Sequence, residues 1–320
     1  MHRTRGSVRH GTALSAAFML PALLLAGCTS PADASLVSPA SALDTVPIYP
    51  GVAVTDDVPY PAGGGGTQLL DICELTDVAA STINNGPRRA LLLVHGGSWR
   101  EGDKASTWWR STCEWLASEG FVVFNVNYRL APAAPYPAAI EDVRAAVAWA
   151  RHPDQVARYG YDPALIGAVG GSAGGNLVSL LGTEGEGNLG TGSRVAAVVE
   201  LSAPTDLRRS GLDLGTLPAG FDRTQLDYLG CANYSSCATA EAATPQTHVD
   251  PSDPPFFIGH SLEEFIPVEH GRSLAASLAD AGVPATLVEV PGIAHSIGLL
   301  GTSEPTAMRE QIVEFLRGAL

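Results

Sequence analysis

One short segment carries residues of the kind that perform nucleophilic catalysis. Residues 170–176 read Gly-Gly-Ser-Ala-Gly-Gly-Asn, so Ser172 stands in a G-x-S-x-G pattern. An apolar run over residues 165–169 precedes it and an apolar, helix-like stretch follows, which is the strand–turn–helix setting that the pattern requires. Small residues beside the serine permit a sharp turn that raises its hydroxyl above a sheet. The pattern therefore predicts Ser172 as a nucleophile.

A phosphate-binding loop is the competing interpretation of these glycines. It fails because no Gly-Lys-Ser/Thr sequence is present, and because Gly167, Gly170, Gly171 and Gly174 do not fit the G-x-G-x-x-G spacing. A glycine-rich turn with an uninvolved serine is the structural alternative.

A second pair of glycines follows an earlier apolar run. Residues 90–94 form a continuous apolar segment, typical of a buried parallel strand, and His95-Gly96-Gly97-Ser98-Trp99 comes directly after it. Glycines at such a turn allow backbone N–H groups to face the oxyanion that forms when an ester carbonyl is attacked. We predict an oxyanion hole made of the amides of Gly96, Gly97 and Ala173.

Together these segments resemble the α/β-hydrolase fold and, within it, the carboxylesterases that carry an H-G-G-x motif after the third strand. Residues 127–132, 136–138 with 141–143, and 162–163 are similar to segments that such esterases place before the nucleophile. The resemblance implies a mainly parallel central sheet flanked by helices. We interpret these segments as scaffold, in which Asp142 is a helix charge that needs a buried partner.

The resemblance also implies the order serine, acid, histidine along the chain. Residues 288–295 read Val-Glu-Val-Pro-Gly-Ile-Ala-His, where the family has a strand and then P-G-x-x-H, so His295 is the predicted base. The acid belongs to a turn that usually reads H-G-x-x-D-x-x-V-P. Alignment on Ile266-Pro267 without gaps places it at Glu263, and the adjacent Glu264 is the alternative.

The remaining histidines have weaker signals. His95 belongs to the predicted oxyanion loop, and His2 and His10 precede the predicted cleavage site described below. Four others have no motif and are predicted to be solvated or structural: His152, His248, His260 and His270.

These residues predict a serine hydrolase that cleaves carboxylic esters through an acyl-enzyme intermediate, without a cofactor or a metal. The similar enzymes include feruloyl and acetyl esterases, so the expected substrate is a small-molecule or polysaccharide-linked ester. Two alternatives remain open. Arylformamidases share the H-G-G-x-W turn and cleave a formamide, and a catalytically silent surface-binding lipoprotein would keep the scaffold without turnover.

The N-terminus has the organisation of an export signal. Arg3, Arg5 and Arg9 precede an apolar run over residues 13–26, which is shorter than the roughly 20 residues that span a bilayer. The run ends in Leu-Ala-Gly-Cys28, which looks like a bacterial lipobox, in which the cysteine is lipidated. An ordinary signal peptide with a cysteine nearby is the alternative.

These features predict three parts of the chain. They are a lipoprotein signal peptide over residues 1–27, a flexible Ser/Ala/Pro-rich tether over residues 28–47, and a single α/β-hydrolase catalytic domain over residues 48–320. The expected location is the cell envelope, where the lipid on Cys28 would anchor the protein to the outer face of the bacterial membrane.

The rest of the chain alternates apolar runs with amphipathic stretches, as an α/β protein with a mainly parallel sheet does. Strands are predicted over residues 67–75, 90–94, 121–126, 165–169, 195–201, 256–258 and 286–290, and helices over residues 106–118, 138–150, 268–281 and 304–316 and after Ser172. Residues 205–253 are the least regular part and are predicted to form a small lid-like insertion.

Composition excludes two classes of protein. Hydrophobic residues make up 45% of the chain and charged residues 16%, which excludes a largely disordered chain. The net charge of −14 argues against a nucleic-acid partner, because phosphate contacts need clustered Lys and Arg.

The cysteines agree with export. Apart from Cys28, the chain has an even number of them, as disulfides in an oxidising compartment require. Cys231 and Cys237 are close enough along the chain to pair, and Cys73 with Cys113 would then follow. Free buried thiols are the alternative.

Overall fold

The computed structural model describes residues 46–76, 88–302 and 307–320. Within these ranges an eight-stranded sheet forms the centre of the fold. Its strands are β1 Val52–Pro61, β2 Thr67–Leu75, β3 Arg88–Val94, β4 Val122–Val126, β5 Tyr161–Gly171, β6 Val198–Leu201, β7 Phe256–Ser261 and β8 Ala285–Val290. The strand order is β1-β2-β4-β3-β5-β6-β7-β8. Strand β2 is antiparallel to β1 and β4, and all other neighbours are parallel.

Helices follow most of the parallel strands. They are α1 Thr107–Ser118, α2 Ala138–Ala150, α3 Pro153–Tyr159, α4 Ala173–Thr183, α5 Phe221–Leu229, α6 Thr239–Ala242, α7 Glu269–Asp280 and α8 Met308–Ala319, with 3₁₀ turns at Arg209–Asp213, Tyr234–Ser236, Pro245–Thr247 and Ser296–Gly301. Among the described residues, none of the helices combines the length and the hydropathy of a membrane-spanning segment.

The sheet buries both of its faces, and β3 shows how. Successive side chains of a strand point to opposite faces. Leu92 therefore packs in one core with Val143 of α2 and Leu177 of α4. Leu91 packs in the other core with Leu116 of α1. This double coverage explains why residues 90–94 are apolar without alternation.

The structure confirms most of the predicted elements, and β2 and α2 have the predicted bounds. Strand β1 was not predicted because it is an edge strand with mostly exposed side chains, including Asp56 and Asp57, so it has no apolar run. The last helix begins at Met308, and residues 303–306 lie outside the described residues. The predicted signal peptide, most of the predicted tether and Cys28 also lie outside them.

Both disulfides predicted as the favoured pairing are present. Cys73 of β2 is bonded to Cys113 of α1, and Cys231 is bonded to Cys237 shortly after α5. The first bridge joins the antiparallel edge of the sheet to a covering helix, and the second closes a short loop within the insertion (residues 205–253).

Asp142 has the buried partner that its position in a helix requires. Its carboxylate, which is fully buried, accepts hydrogen bonds from Arg129 Nε at 2.9 Å and from the Gly63 amide at 2.8 Å. The pair fixes the loop after β4 and the β1–β2 turn against α2, so its role is structural, as predicted.

Candidate active site

Ser172 lies at the turn between β5 and α4 in a backbone conformation that side chains rarely adopt. Its φ is 55° and its ψ is −123°. The neighbouring glycines make this turn possible, because a Cβ at Gly174 would lie 2.1 Å from the carbonyl oxygen of Val94. The amide of Ser172 is held by the Leu201 carbonyl at 2.8 Å. The strained turn of the predicted nucleophile is therefore present.

Four of the predicted site residues line one cleft. It has a volume of about 350 Å³, and its walls are formed by Gly96, Gly97, Ser98, Trp109, Ser172, Phe265, His295 and Ser296. A larger groove of about 610 Å³, between α1 and α8, is lined mostly by charged side chains and contains none of the predicted residues. In the described ranges, no group of three or more His, Cys, Asp or Glu side chains is arranged to hold a metal ion.

His295 lies in the loop after β8 and contacts a buried carboxylate. Its Nδ1 is 2.5 Å from Oε2 of Glu264, whose side chain is fully buried. Since a carboxylate only accepts, Nδ1 carries the proton and donates it, which leaves Nε2 with a lone pair for a proton from elsewhere. The ring of Phe265 packs edge-on against the His295 ring at 5.4 Å between centroids.

The structure corrects the predicted position of the acid. Glu263 is exposed, and Glu264 is the residue that meets His295. The prediction failed because this chain has one residue fewer between the acid and Ile266-Pro267 than the family's turn. Alignment on His260, at the end of β7, would have placed the acid four residues later, at Glu264.

Glu264 is held by donors on its other oxygen. Its Oε1 accepts hydrogen bonds from the Ser202 hydroxyl at 2.9 Å and from the Ser261 amide at 2.8 Å. Burial would raise the pKa of Glu264, but its interactions with His260 and His295 outweigh burial and hold that pKa below its usual range. The carboxylate is therefore ionised at neutral pH.

Ser202 is a site residue that the sequence analysis missed. It lies just after β6 with a φ of 58° and, besides bonding Glu264, accepts a hydrogen bond from the Ser296 amide at 2.8 Å. Ser202 thus ties the loop of His295 to the carboxylate. No local motif marks it, because its two partners lie far along the chain.

The predicted oxyanion loop is tightly built around its glycines. Gly97 has a φ of 125°, and a Cβ there would lie 2.1 Å from the Glu101 carbonyl oxygen. His95 Nδ1 donates to the Gly96 carbonyl at 2.8 Å, and the His95 ring stacks on Tyr128 at 4.4 Å. Burial lowers the pKa of His95, so this histidine is neutral and structural.

Ala173 is the first residue of α4. The N–H groups in the first turn of a helix have no partner within it, and the helix dipole places partial positive charge there. The Ala173 amide next to Ser172 therefore has the features that the predicted oxyanion hole requires.

The insertion packs against both sides of the cleft. Trp99, which follows the oxyanion loop and is fully buried, stacks on Tyr228 of α5 at 4.4 Å with an angle of 7° between the rings. Phe221, at the start of the same helix, contacts Phe265 at 5.4 Å. Helix α5 therefore supports the oxyanion loop and one wall of the cleft together.

The strand order, the strained serine turn and the His295–Glu264 contact define a protein of the α/β-hydrolase fold. A family model described as BD-FAE matches residues 76–278, and the chain belongs to this family. These findings confirm the fold and the resemblance to carboxylesterases predicted from the sequence.

Named relatives and solved structures agree with this placement. Esterase LipQ of Mycobacterium tuberculosis is 30% identical over 86% of this chain and 66% of the relative. Probable carboxylic ester hydrolase LipM of the same organism is 29% identical over 84% of this chain and 62% of the relative. The chain thus spans somewhat less than two thirds of the length of these curated relatives.

Two solved structures resemble the fold over most of the chain. An esterase of Pyrobaculum calidifontis matches with a TM-score of 0.66 and 25% identity, over 83% of this chain and 85% of that one. A truncated carbohydrate esterase from gut microbiota matches with a TM-score of 0.67 and 24% identity, over 83% of this chain and 96% of that one. At that identity, the second match supports the fold alone.

Proposed function

We propose that the protein is a serine hydrolase that cleaves carboxylic esters. The observation that carries the proposal is the hydrogen bond from His295 to the buried Glu264, at a cleft that also contains Ser172 on its strained turn. The relatives named esterase and carboxylic ester hydrolase support the same reaction class. The roles of the individual residues follow from the chemistry of acyl transfer.

In the first half of the reaction, the Ser172 hydroxyl oxygen attacks the ester carbonyl carbon. Nε2 of His295 takes the hydroxyl proton, and the ionised Glu264 stabilises the resulting imidazolium. The carbonyl oxygen becomes an oxyanion, which the amides of Gly96, Gly97 and Ala173 stabilise. His295 then returns the proton to the leaving alcohol as the carbon–oxygen bond breaks.

In the second half, the acyl group is an ester of Ser172. A water molecule attacks its carbonyl carbon and gives one proton to His295. The second tetrahedral intermediate collapses, the acid is released, and the proton on His295 passes back to the Ser172 oxygen. Every atom comes from the ester, the water and these side chains, so the proposal requires no cofactor.

The substrate is proposed to be a small-molecule or polysaccharide-linked ester. Trp109 and Phe265 form apolar parts of the cleft wall, and Phe265 is 43% exposed, so the wall continues to the surface. Such a cleft admits an ester whose alcohol part extends into solvent.

The proposal predicts both turnover and a covalent mark. The protein should hydrolyse p-nitrophenyl acetate, and a fluorophosphonate should label it once, on Ser172, as read by peptide mass spectrometry. The Ser172→Ala variant, with unchanged circular dichroism, should take no label.

The alternatives give different results in the same experiment. Labelling of Ser172 with turnover of an aryl formamide and none of the ester would favour the arylformamidase. A folded protein with neither label nor turnover would be the silent surface-binding protein, and the proposed function would be wrong.

The anchoring of the protein is a separate proposal, supported by the lipobox-like Leu-Ala-Gly-Cys28 sequence. We expect the protein produced in a bacterial host to partition into the detergent phase of Triton X-114, and Cys28→Ser to abolish this partitioning because it removes the lipidated thiol. Immunoblotting of the two phases measures the distribution. Aqueous partitioning of both proteins would contradict lipidation.

A further inference from the structure

A second histidine lies behind Glu264, on the side away from the cleft. His260 is the penultimate residue of β7, and its side chain is fully buried between Glu264 and Glu200 of β6, which are also fully buried. Its Nε2 is 3.1 Å from Oε1 of Glu200, in hydrogen-bond geometry. Its Nδ1 is 3.3 Å from Oε1 of Glu264, which is an ion-pair distance without hydrogen-bond geometry. The proposed reaction leaves His260 and Glu200 without a role.

The two ring contacts of His260 determine its protonation state. A neutral imidazole has one N–H and one lone pair, so it would direct that lone pair at a carboxylate oxygen in a site without water-like screening. An imidazolium donates an N–H to Glu200 and brings a positive charge to ion-pair distance from Glu264. The geometry therefore favours the doubly protonated, positively charged ring.

We propose that His260 is a positioning residue of the active site, which stays positively charged throughout turnover. Its charge offsets part of the buried negative charge that would otherwise keep His295 permanently protonated. This inference rests on the proposed roles of Ser172, His295 and Glu264. It adds that Glu200 keeps His260 in its charged form.

The balance of formal charges explains why such a residue is needed. Glu200, His260 and Glu264 together carry one net negative charge, which stabilises the His295 imidazolium as it forms. Without the charge on His260, two buried carboxylates would act on His295, and nearby negative charge favours the protonated form of a histidine. A permanently protonated His295 cannot accept the proton of Ser172.

The electrostatics of the buried residues agree with this geometry. Burial lowers the pKa of His260, but the interactions with the carboxylates of Glu200 and Glu264 outweigh burial and raise that pKa to about 9. The other titratable groups near it are His270 of α7 and Glu289 of β8. Burial and the charge of His260 lower the pKa of His270 to about 4, so it is neutral. Glu289 forms an ion pair with Arg272 at 2.7 Å.

The test is the acid limb of the pH profile of kcat/KM for p-nitrophenyl acetate. His260→Gln should move this limb to higher pH by about one unit. The value of kcat/KM should then fall about tenfold at pH values on the acid limb and change little at higher pH. The double variant Glu200→Gln/His260→Gln restores one net negative charge and should return the limb to its wild-type position. A purely structural role predicts no shift in the first variant and no return in the second.

His270→Gln is the matched control, since it removes an imidazole that is also buried but neutral. The backbone amides of Thr205 and Asp206 donate to Nδ1 of His270 at 3.2 and 3.4 Å. The substitution therefore disturbs these contacts without changing the charge. The acid limb of this variant should stay in place. A shift equal to that of His260→Gln would overturn the proposal.

A second measurement covers the case in which His260→Gln does not fold. Long-range ¹H–¹⁵N spectra of the wild-type protein at about pH 8 should show one imidazole with both nitrogens protonated, and His270→Gln should keep it. Absence of that imidazolium overturns the proposal.

The outcomes distinguish this proposal from the proposed function. Labelling of Ser172 with an unmoved acid limb contradicts the role of His260 alone, whereas a failure of both labelling and turnover contradicts the proposed function.

Discussion

Glu264→Gln is expected to lower kcat by about 10⁴-fold, as loss of the triad carboxylate charge does in serine proteases. The neutral amide no longer stabilises the His295 imidazolium. Its NH₂ group, if turned toward His295, also favours the tautomer in which Nδ1 accepts and Nε2 carries the proton, and this tautomer cannot deprotonate Ser172. Steady-state kinetics with p-nitrophenyl acetate measure the loss.

The neighbouring residue supplies the control for this experiment. Glu263→Gln makes the same chemical change one position earlier, on an exposed side chain, and should leave kcat within about twofold of wild type. If Glu263→Gln instead caused the large loss, the acid would be Glu263 and the assignment of Glu264 would be wrong.

Gly97→Val is expected to lower kcat by about 10²–10³-fold, the usual cost of losing one oxyanion donor. A side chain at this position meets the Glu101 carbonyl oxygen at 2.1 Å, and the φ of 125° is unsuited to valine. The loop must move, and the Gly97 amide turns away from the oxyanion. Kinetics on folded protein, with circular dichroism as the check, measure the effect.

Gly65→Val is the matched control, because Gly65 also has a positive φ, of 90°, but a Cβ at this position would have no heavy atom within 4 Å. That variant should lose stability, seen as a lower Tm, and keep its kcat. Unchanged turnover in Gly97→Val would mean that other donors hold the oxyanion.

The sequence analysis predicted those parts of the site that are local. Ser172 and His295 each stand in a short motif next to a strand, and a strand end fixes where the next side chain lies. Elements such as β2 and α2 were predicted with their bounds because their apolar residues repeat with the period of the structure. The edge strand β1 has no such repeat.

The position of the acid and its support could not be predicted in the same way. The choice between Glu263 and Glu264 depends on one residue of loop length, which an ungapped alignment cannot measure. Glu200 and Ser202 reach the site from the end of β6, about 60 residues before their partners. The amino-acid sequence by itself does not distinguish buried polar residues of this kind from solvated ones.

The packing of α5 sets a limit on how the cleft of this protein can be redesigned. Phe221 lies 5.4 Å from Phe265 in the cleft wall and 6.5 Å from Trp99 behind the oxyanion loop. A substitution of Phe221 therefore alters the packing of Phe265 in the cleft wall and of Trp99 at the same time. A change at this position that reshapes the cleft would therefore also act on the packing behind the oxyanion loop.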